Sequence, residues 1–178
     1  MRGGVVCRFD PELEGAVRDL QQLVASVSGH AAELSIPPHI TLLGGDALDA
    51  EWDAAVAQLA LQTAAFPVRL AAPAAFFAAG VLYLAPSVTL GLAQLQTELL
   101  NLAVQRQAQL WEHFVPGTWV PHCTLGFDLN PEQLAQAFAA VHSGRSALRG
   151  TITSLALFEL RENHAVERAR YTLVQPDS

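Results

Sequence analysis

Apolar positions along the chain switch repeatedly between the two-residue period of a strand and the longer period of a helix. Residues 4–9 read as a first strand. Asp10 can cap the helix that follows, with Pro11 in its first turn; Leu13, Val17, Leu20 and Val24 place its apolar stripe over residues 11–27, up to Gly29. The run Pro38-His39-Ile40-Thr41-Leu42-Leu43-Gly44 predicts a second strand, and Asp49 can cap a second helix carrying Trp52, Val56 and Leu59 inward. Residues 67–72 and 81–85 are extended, with Pro73 and Gly80 punctuating the stretch between them. One long helix is expected over 88–112, stopped by Pro116-Gly117. A strand then runs from Pro121 to about Phe127. Asn130-Pro131-Glu132 repeats the cap signal of Asp10-Pro11-Glu12, and Leu134, Phe138 and Val141 mark the next helix. Strands over 150–160 and 169–175, joined by a polar hairpin loop, close the chain.

The order strand–helix–strand–strand therefore occurs twice, over residues 37–86 and 120–175. Such a unit is too small to bury its own sheet face, so the two should pack on each other. The expectation is an α+β fold, built as a duplicated βαββ unit with helices outside, in one domain spanning 1–178.

Composition narrows the function classes. About half of the 178 residues are apolar, enough for a sizeable core. The net charge is -7, and all ten cations are arginine. No basic stripe runs along the chain, which argues against gripping a long nucleic acid and leaves a small anion or a nucleic-acid end. Neither a signal-peptide pattern nor an apolar run of membrane-spanning length is present, so a soluble, cytoplasmic monomer is expected. Cys7 and Cys123 form no CxxC pair and no zinc spacing; both are expected as buried thiols, and no metal or other cofactor is expected.

The chemical signal is a repeated pentapeptide, Pro38-His39-Ile40-Thr41-Leu42 and Pro121-His122-Cys123-Thr124-Leu125. One His-x-Thr is unsurprising by chance; two, each in the same pentapeptide and each opening the same order of elements, are not. On a strand, His39 and Thr41 share a face while Ile40 turns away, and the same holds for His122, Thr124 and Cys123. Two imidazoles on either side of a phosphorus can serve as general base and general acid, and two hydroxyls can donate to its non-bridging oxygens. His30, His113, His142 and His164 stand outside this pattern; His113 and His142 are expected near helix C-termini, and all four are expected to be structural or solvated.

Paired His-x-Thr motifs in a duplicated βαββ chain of this length resemble the two-histidine phosphoesterase superfamily, which includes the bacterial 2′-5′ RNA ligases and cyclic nucleotide phosphodiesterases. The resemblance extends to the first strand with Asp10-Pro11, to Gly80-Val81-Leu82-Tyr83-Leu84, and to the closing hairpin with Phe158 and Tyr171-Thr172-Leu173. It implies a bilobal α+β fold, two antiparallel sheets facing a central cleft, and opening of 2′,3′-cyclic phosphates or ADP-ribose 1″,2″-cyclic phosphate. Carried onto this chain, His39 and His122 are the acid–base pair, and Thr41 and Thr124 bind phosphate. Which histidine is acid and which is base is left open.

In the RNA-ligase branch a basic residue commonly follows the second motif. Here Leu125-Gly126-Phe127 follows, which favours a smaller cyclic phosphate over RNA ligation. Trp119, Tyr83, Phe76 and Phe77 are candidates for stacking on a base, with core packing as the competing reading. Arg8 either faces the cleft or is a solvated surface residue. A cyclic phosphodiesterase is thus the leading expectation, with an ATP-independent 2′-5′ RNA ligase or RNA-end enzyme as its variant. A non-catalytic nucleotide or RNA-end binder is the alternative of another class, and two histidines without nearby carboxylates are a thin ligand set for a dinuclear metal hydrolase.

Overall fold

A computed structural model describes residues 2–30, 36–46, 48–143, 147–162 and 164–175. Strand β1 (Gly3–Phe9) leads into helix α1 (Pro11–Ser28), whose start is set by Asp10: one carboxylate oxygen accepts from the Leu13 N–H at 2.8 Å, and the other accepts from the Thr151 N–H. Strand β2 (His39–Asp46) and helix α2 (Ala50–Gln62, capped by Asp49) follow, then β3 (Phe66–Phe76), a 3-10 turn (Phe77–Ala79) and β4 (Val81–Pro86). Helix α3 (Leu90–Gln105), the short β5 (Gln109–Leu110) and a second 3-10 turn (Glu112–Phe114) lead to β6 (Cys123–Gly126). Helix α4 (Pro131–His142) opens on a full capping box between Asn130 and Gln133. Strands β7 (Leu148–Arg161) and β8 (His164–Thr172) end the chain.

The strands form one antiparallel sheet in the order β5-β2-β1-β7-β3-β4-β6, with β8 on β7. Its spine is β7, fourteen residues long. Along one edge it pairs with β1; along the other it pairs first with β3, over Leu148–Ile152, and then with β8, over Ser154–Arg161. The order βαββ does repeat, but the strands are exchanged between repeats. Strand β6 of the second repeat extends the β3–β4 hairpin of the first, and β2 of the first reaches β7 of the second through β1. Two sheets, each made by its own unit, are replaced by one continuous sheet, because β7 is long enough to serve both ends.

All four helices feed one apolar cluster on one side of this sheet, from Leu13, Val17 and Leu20 through Trp52 and Val56 to Leu92, Leu99, Leu134 and Val141. Ile40 and Cys123 sit in it, as the alternation of the two motifs requires. Helix α2 buries Ala60, while Leu59 packs only partly against the core.

Other boundaries differ from expectation for identifiable reasons. The helix expected over 88–112 stops at Gln105. Gln107 adopts a left-handed conformation (φ 51), the Ala108 N–H donates to the Ala103 carbonyl, and the Gln107 N–H donates to that of Val104. This is a Schellman stop with apolar Ala103 and Ala108 closing it, built on glutamine where glycine is usual. His113 consequently lies in the 112–114 turn and not at a helix end. Strand β3 runs through Pro67 and Pro73 because each stands where only one neighbouring strand is present. Strand β8 begins at His164, inside the expected loop, where Glu167 and Arg168 have partners. Gly80 has φ 61, and a Cβ on it would stand 2.3 Å from the Leu129 carbonyl oxygen, so the turn at 77–79 tolerates no side chain at that position.

Replacing Gln107 with glycine removes the left-handed penalty at the α3 stop. Gln107→Gly is expected to raise stability by about 1 kcal/mol, read as a higher urea midpoint.

Candidate active site

Both motifs lie on the sheet face away from the main helical core. In the β1–β2 register Thr41 stands opposite Val6 and His39 opposite Arg8; in the β4–β6 register Thr124 stands opposite Tyr83. Strands β2 and β6 approach each other, and two side chains tie them in place. Trp119 Nε1 donates to the Thr41 carbonyl at 3.0 Å, and Gln21 Nε2, from α1, donates to the Thr124 carbonyl at 3.0 Å. Among the described residues, no hydrogen bond engages either threonine hydroxyl.

The two imidazoles are held in the same way. His39 Nδ1 lies 2.8 Å from the Pro37 carbonyl oxygen, and His122 Nδ1 lies 2.8 Å from that of Val120. A carbonyl only accepts, so each Nδ1 carries the proton and each Nε2 presents a lone pair. In both cases the acceptor belongs to the residue two positions upstream, across the intervening proline, whose fixed φ sets that short loop back onto the ring. These carbonyls are functional groups that motif reading overlooks; the only signal for them was the proline shared by both pentapeptides.

The surroundings of the two rings differ. Tyr83, only 7 % exposed, stacks on Phe76 at 4.4 Å, and both meet His122 edge-on, at 5.4 and 5.1 Å. His39 instead adjoins Arg8, which is 1 % exposed and so is no surface residue. Arg8 bonds Glu14 through Nη2 at 2.7 Å and Glu167 through Nη1; Arg18 completes the partners of Glu14, and Arg170 those of Glu167. Five charges thus alternate from α1 to β8 with a buried arginine at their centre, and its Nε is buried without a partner. Burial works to raise the Glu14 carboxyl, but hydrogen bonds from Arg8 and Arg18 hold it below its ordinary value. Arg168, on the same strand, bonds Asp53 at 2.7 Å and the Leu48 carbonyl at 3.0 Å, fastening β8 to α2.

Burial pushes the His39 imidazole down to about 4; the Arg8 charge and a proton on His122 act in the same direction, against the Pro37 hydrogen bond and Glu167. Burial lowers His122 as well, opposed by its bond to Val120. Behind the site, burial pushes the Cys7 and Cys123 thiols up to about 12, so neither is a nucleophile near neutral pH.

A cavity of 580 Å³ opens beside His122, walled by Phe76, Phe77, Phe114, Trp119 and Val120. Of the four aromatic candidates, Phe77 (81 % exposed), Phe76 and Trp119 line it, whereas Tyr83 lies behind His122. His113 is at its rim, His142 stacks on Phe138 at the end of α4, His30 follows the α1 cap, and His164 is exposed. Among the described residues no group of three His, Cys, Asp or Glu side chains is placed to hold a metal, and no helix is long and apolar enough to cross a membrane.

Residues 7–164 match the sequence model of the 2′-5′ RNA ligase superfamily. The chain belongs to this superfamily. It is a family of two-histidine phosphoesterases and ligases, and solved structures carry the same fold. TT0787 of Thermus thermophilus superposes with a TM-score of 0.63 at 20% identity, covering 99% of this chain and 100% of its own. LigT of E. coli, solved with 3′-AMP, gives 0.64 at 17% identity over 98% of both chains. No curated protein matches the sequence. At these identities the superfamily match carries the family, and the structures carry the fold.

The depressed His39 has a consequence for stability. Above pH 6.5 the ring is neutral in folded and unfolded chains alike. As pH falls below 6.5 the unfolded chain takes up a proton that the folded one refuses, and stability drops until pH nears 4. Between pH 7 and 5 this loss is on the order of 2 kcal/mol. Urea unfolding of wild type and His39→Gln at both pH values should show the smaller loss in the variant; equal losses would show that His39 is not held neutral by burial.

Proposed function

We propose that this protein is a metal-independent phosphodiesterase that opens 2′,3′-cyclic phosphates by two-histidine acid–base catalysis. The observation that carries this reading is the matched pair of imidazoles, each locked through Nδ1 to a carbonyl two residues upstream, with a threonine two residues downstream. Water attacks the phosphorus in line with one ribose oxygen. One Nε2 takes the water's proton, the P–O bond breaks, and the other Nε2–H protonates the departing oxygen, leaving a nucleoside 2′- or 3′-monophosphate. Thr41 and Thr124 donate to the non-bridging oxygens as charge builds there.

His39, lowered further and flanked by Arg8, is the base; His122, against the faces and edges of Phe76 and Tyr83, is the more easily protonated ring and serves as the acid. The anionic phosphate itself favours a proton on the nearer free imidazole. A nucleotide substrate is supported by E. coli LigT, solved with 3′-AMP, which has the form of a product of this reaction. A ligase would run the same steps with a ribose hydroxyl of a second RNA in place of water. We place that reading second: among the described residues, no arginine lines the cavity to hold an RNA backbone. We further propose that the chain acts as a cytoplasmic monomer, one two-lobed domain across residues 1–178.

His39→Ala and His122→Ala should each lower kcat for a 2′,3′-cyclic mononucleotide by about 10²- to 10⁴-fold, and Thr41→Val or Thr124→Val by about 10²-fold, with EDTA without effect. Full activity in either histidine variant would sink the assignment. Binding of 2′-AMP with no turnover of any cyclic phosphate would favour a pure binder, and faster joining than hydrolysis of RNAs with cyclic ends would favour the ligase.

The pH profile of kcat/KM should be a bell, rising through the region near 4 set by His39 and falling below the ordinary imidazole value of about 6.5. In His39→Ala the residual rate should lose the acid limb, and in His122→Ala the alkaline limb; the reverse pattern exchanges their roles.

A further inference from the structure

The cavity beside His122 offers aromatic faces and very few polar atoms. Trp119 Nε1 is already spent on the Thr41 carbonyl. The Thr118 hydroxyl lies 2.6 Å from the Glu112 carbonyl oxygen and 2.9 Å from that of Val115, so its single proton stays within its own turn. His122 belongs to the reaction. That leaves His113, whose side chain is 80 % exposed at the rim and 3.7 Å from Glu112. Phe77 meanwhile stands in solvent at 81 % exposure, carried by a turn that Gly80 pins against Leu129. It also walls a second apolar cavity of 400 Å³, against Leu134, Ala135 and Phe138 of α4.

A flat apolar ligand group is what such walls accept. A site that reads a base must place donors and acceptors at its edge, and such sites reject the wrong partner by orders of magnitude because buried polar groups are left unpaired. Stacking makes no such demand, since every base has a π-face. Resting on the cyclic-nucleotide reading above, we propose that this cavity is a stacking subsite for one nucleobase whose hydrogen-bonding edge goes unread. The enzyme then accepts all four bases and ranks them by stacking area, purines above pyrimidines. Among the described residues no arginine lines the walls, which fits a neutral ring as the occupant.

The deciding comparisons are between bases of equal size and different edges: adenine against guanine, and cytosine against uracil. With the four 2′,3′-cyclic mononucleotides, kcat/KM should agree within about fivefold inside each pair. Phe77→Ala should lower all four on the order of tenfold and narrow the purine advantage. His113→Ala should leave the ratios within each pair unchanged. A hundredfold gap inside either pair would overturn the proposal, showing that main-chain groups of the 77–79 turn or the His113 ring read the edge. Unchanged kinetics in Phe77→Ala would overturn the subsite itself. Calorimetric binding of the four nucleoside 2′-monophosphates separates the subsite from the reaction. Equal affinities inside each pair with no turnover of any cyclic nucleotide would leave the subsite standing and remove the phosphodiesterase.

Discussion

The arrangement of the site depends on one long strand that changes partner halfway along an edge. Strand β7 pairs with β3 up to Ile152 and with β8 from Ser154, while β1 runs along its other side. Through β1 it carries β2 and the first motif; through β3 and β4 it carries β6 and the second. Because the ladder is continuous, the distance between the two motifs is set by hydrogen-bond register and not by a linker. A one-residue slip at either end would turn a His-x-Thr pair into the core and its apolar neighbour out. The apolar residues Ile40 and Cys123, buried completely, make that slip costly. Core packing and the placement of the two motifs are thus enforced by the same alternation.

The site then works against the stability of the chain that builds it. Desolvating an imidazole favours its neutral form; both rings here are half-buried, and His39 also stands beside the Arg8 cation. The compensation is local: each Nδ1–H has a carbonyl, so desolvation leaves only Nε2 without a partner. The Arg8 guanidinium is likewise kept in a dry position by carboxylates at two of its nitrogens. Removing Glu167 or Glu14 alone would leave Arg8 with one carboxylate and one buried nitrogen stripped of its hydrogen bond, the costly way to break such a network. The alternating charges therefore hold α1, β1 and β8 around His39, and their near balance keeps Arg8's field on the ring modest.

How far this was legible in the sequence depends on whether the deciding interaction is local. The caps at Asp10, Asp49 and Asn130 are local, and helices α1, α2 and α4 begin where those residues predict. The two motifs were legible because period-two alternation fixes which side chains share a face. The end of α3 was not: its Schellman bonds form on Gln107, a residue with no αL signal, so the apolar period running on past it suggested a longer helix. The first half of strand β8 was obscured because Glu167-Arg168 reads as solvated loop until Arg8 and Asp53, far away in sequence, supply partners. Arg8 itself could be placed on a face by alternation, but its burial depends on Glu14 and Glu167 converging on it. The exchange of strands between the repeats was equally invisible, since an order of elements does not specify which hairpin a strand will join.

The proposed phosphate site lies in a chain of net charge -7, and Arg8, beside His39, is already bonded to two carboxylates, so the site must meet an anion's charge by other means. Arg8 contributes position more than free charge. The remaining candidates are the threonine hydroxyls, which are neutral donors, and a proton on an imidazole. Burial disfavours that proton on both rings of the free protein. A bound phosphate monoanion reverses the sign of the local field and stabilises the imidazolium it needs as acid. The same burial that makes an unoccupied site reluctant to hold a proton makes the interaction with a bound anion stronger, because less water screens it. On this view the charge that a basic residue supplies permanently in other phosphate sites is here taken up together with the substrate, and released when the product leaves.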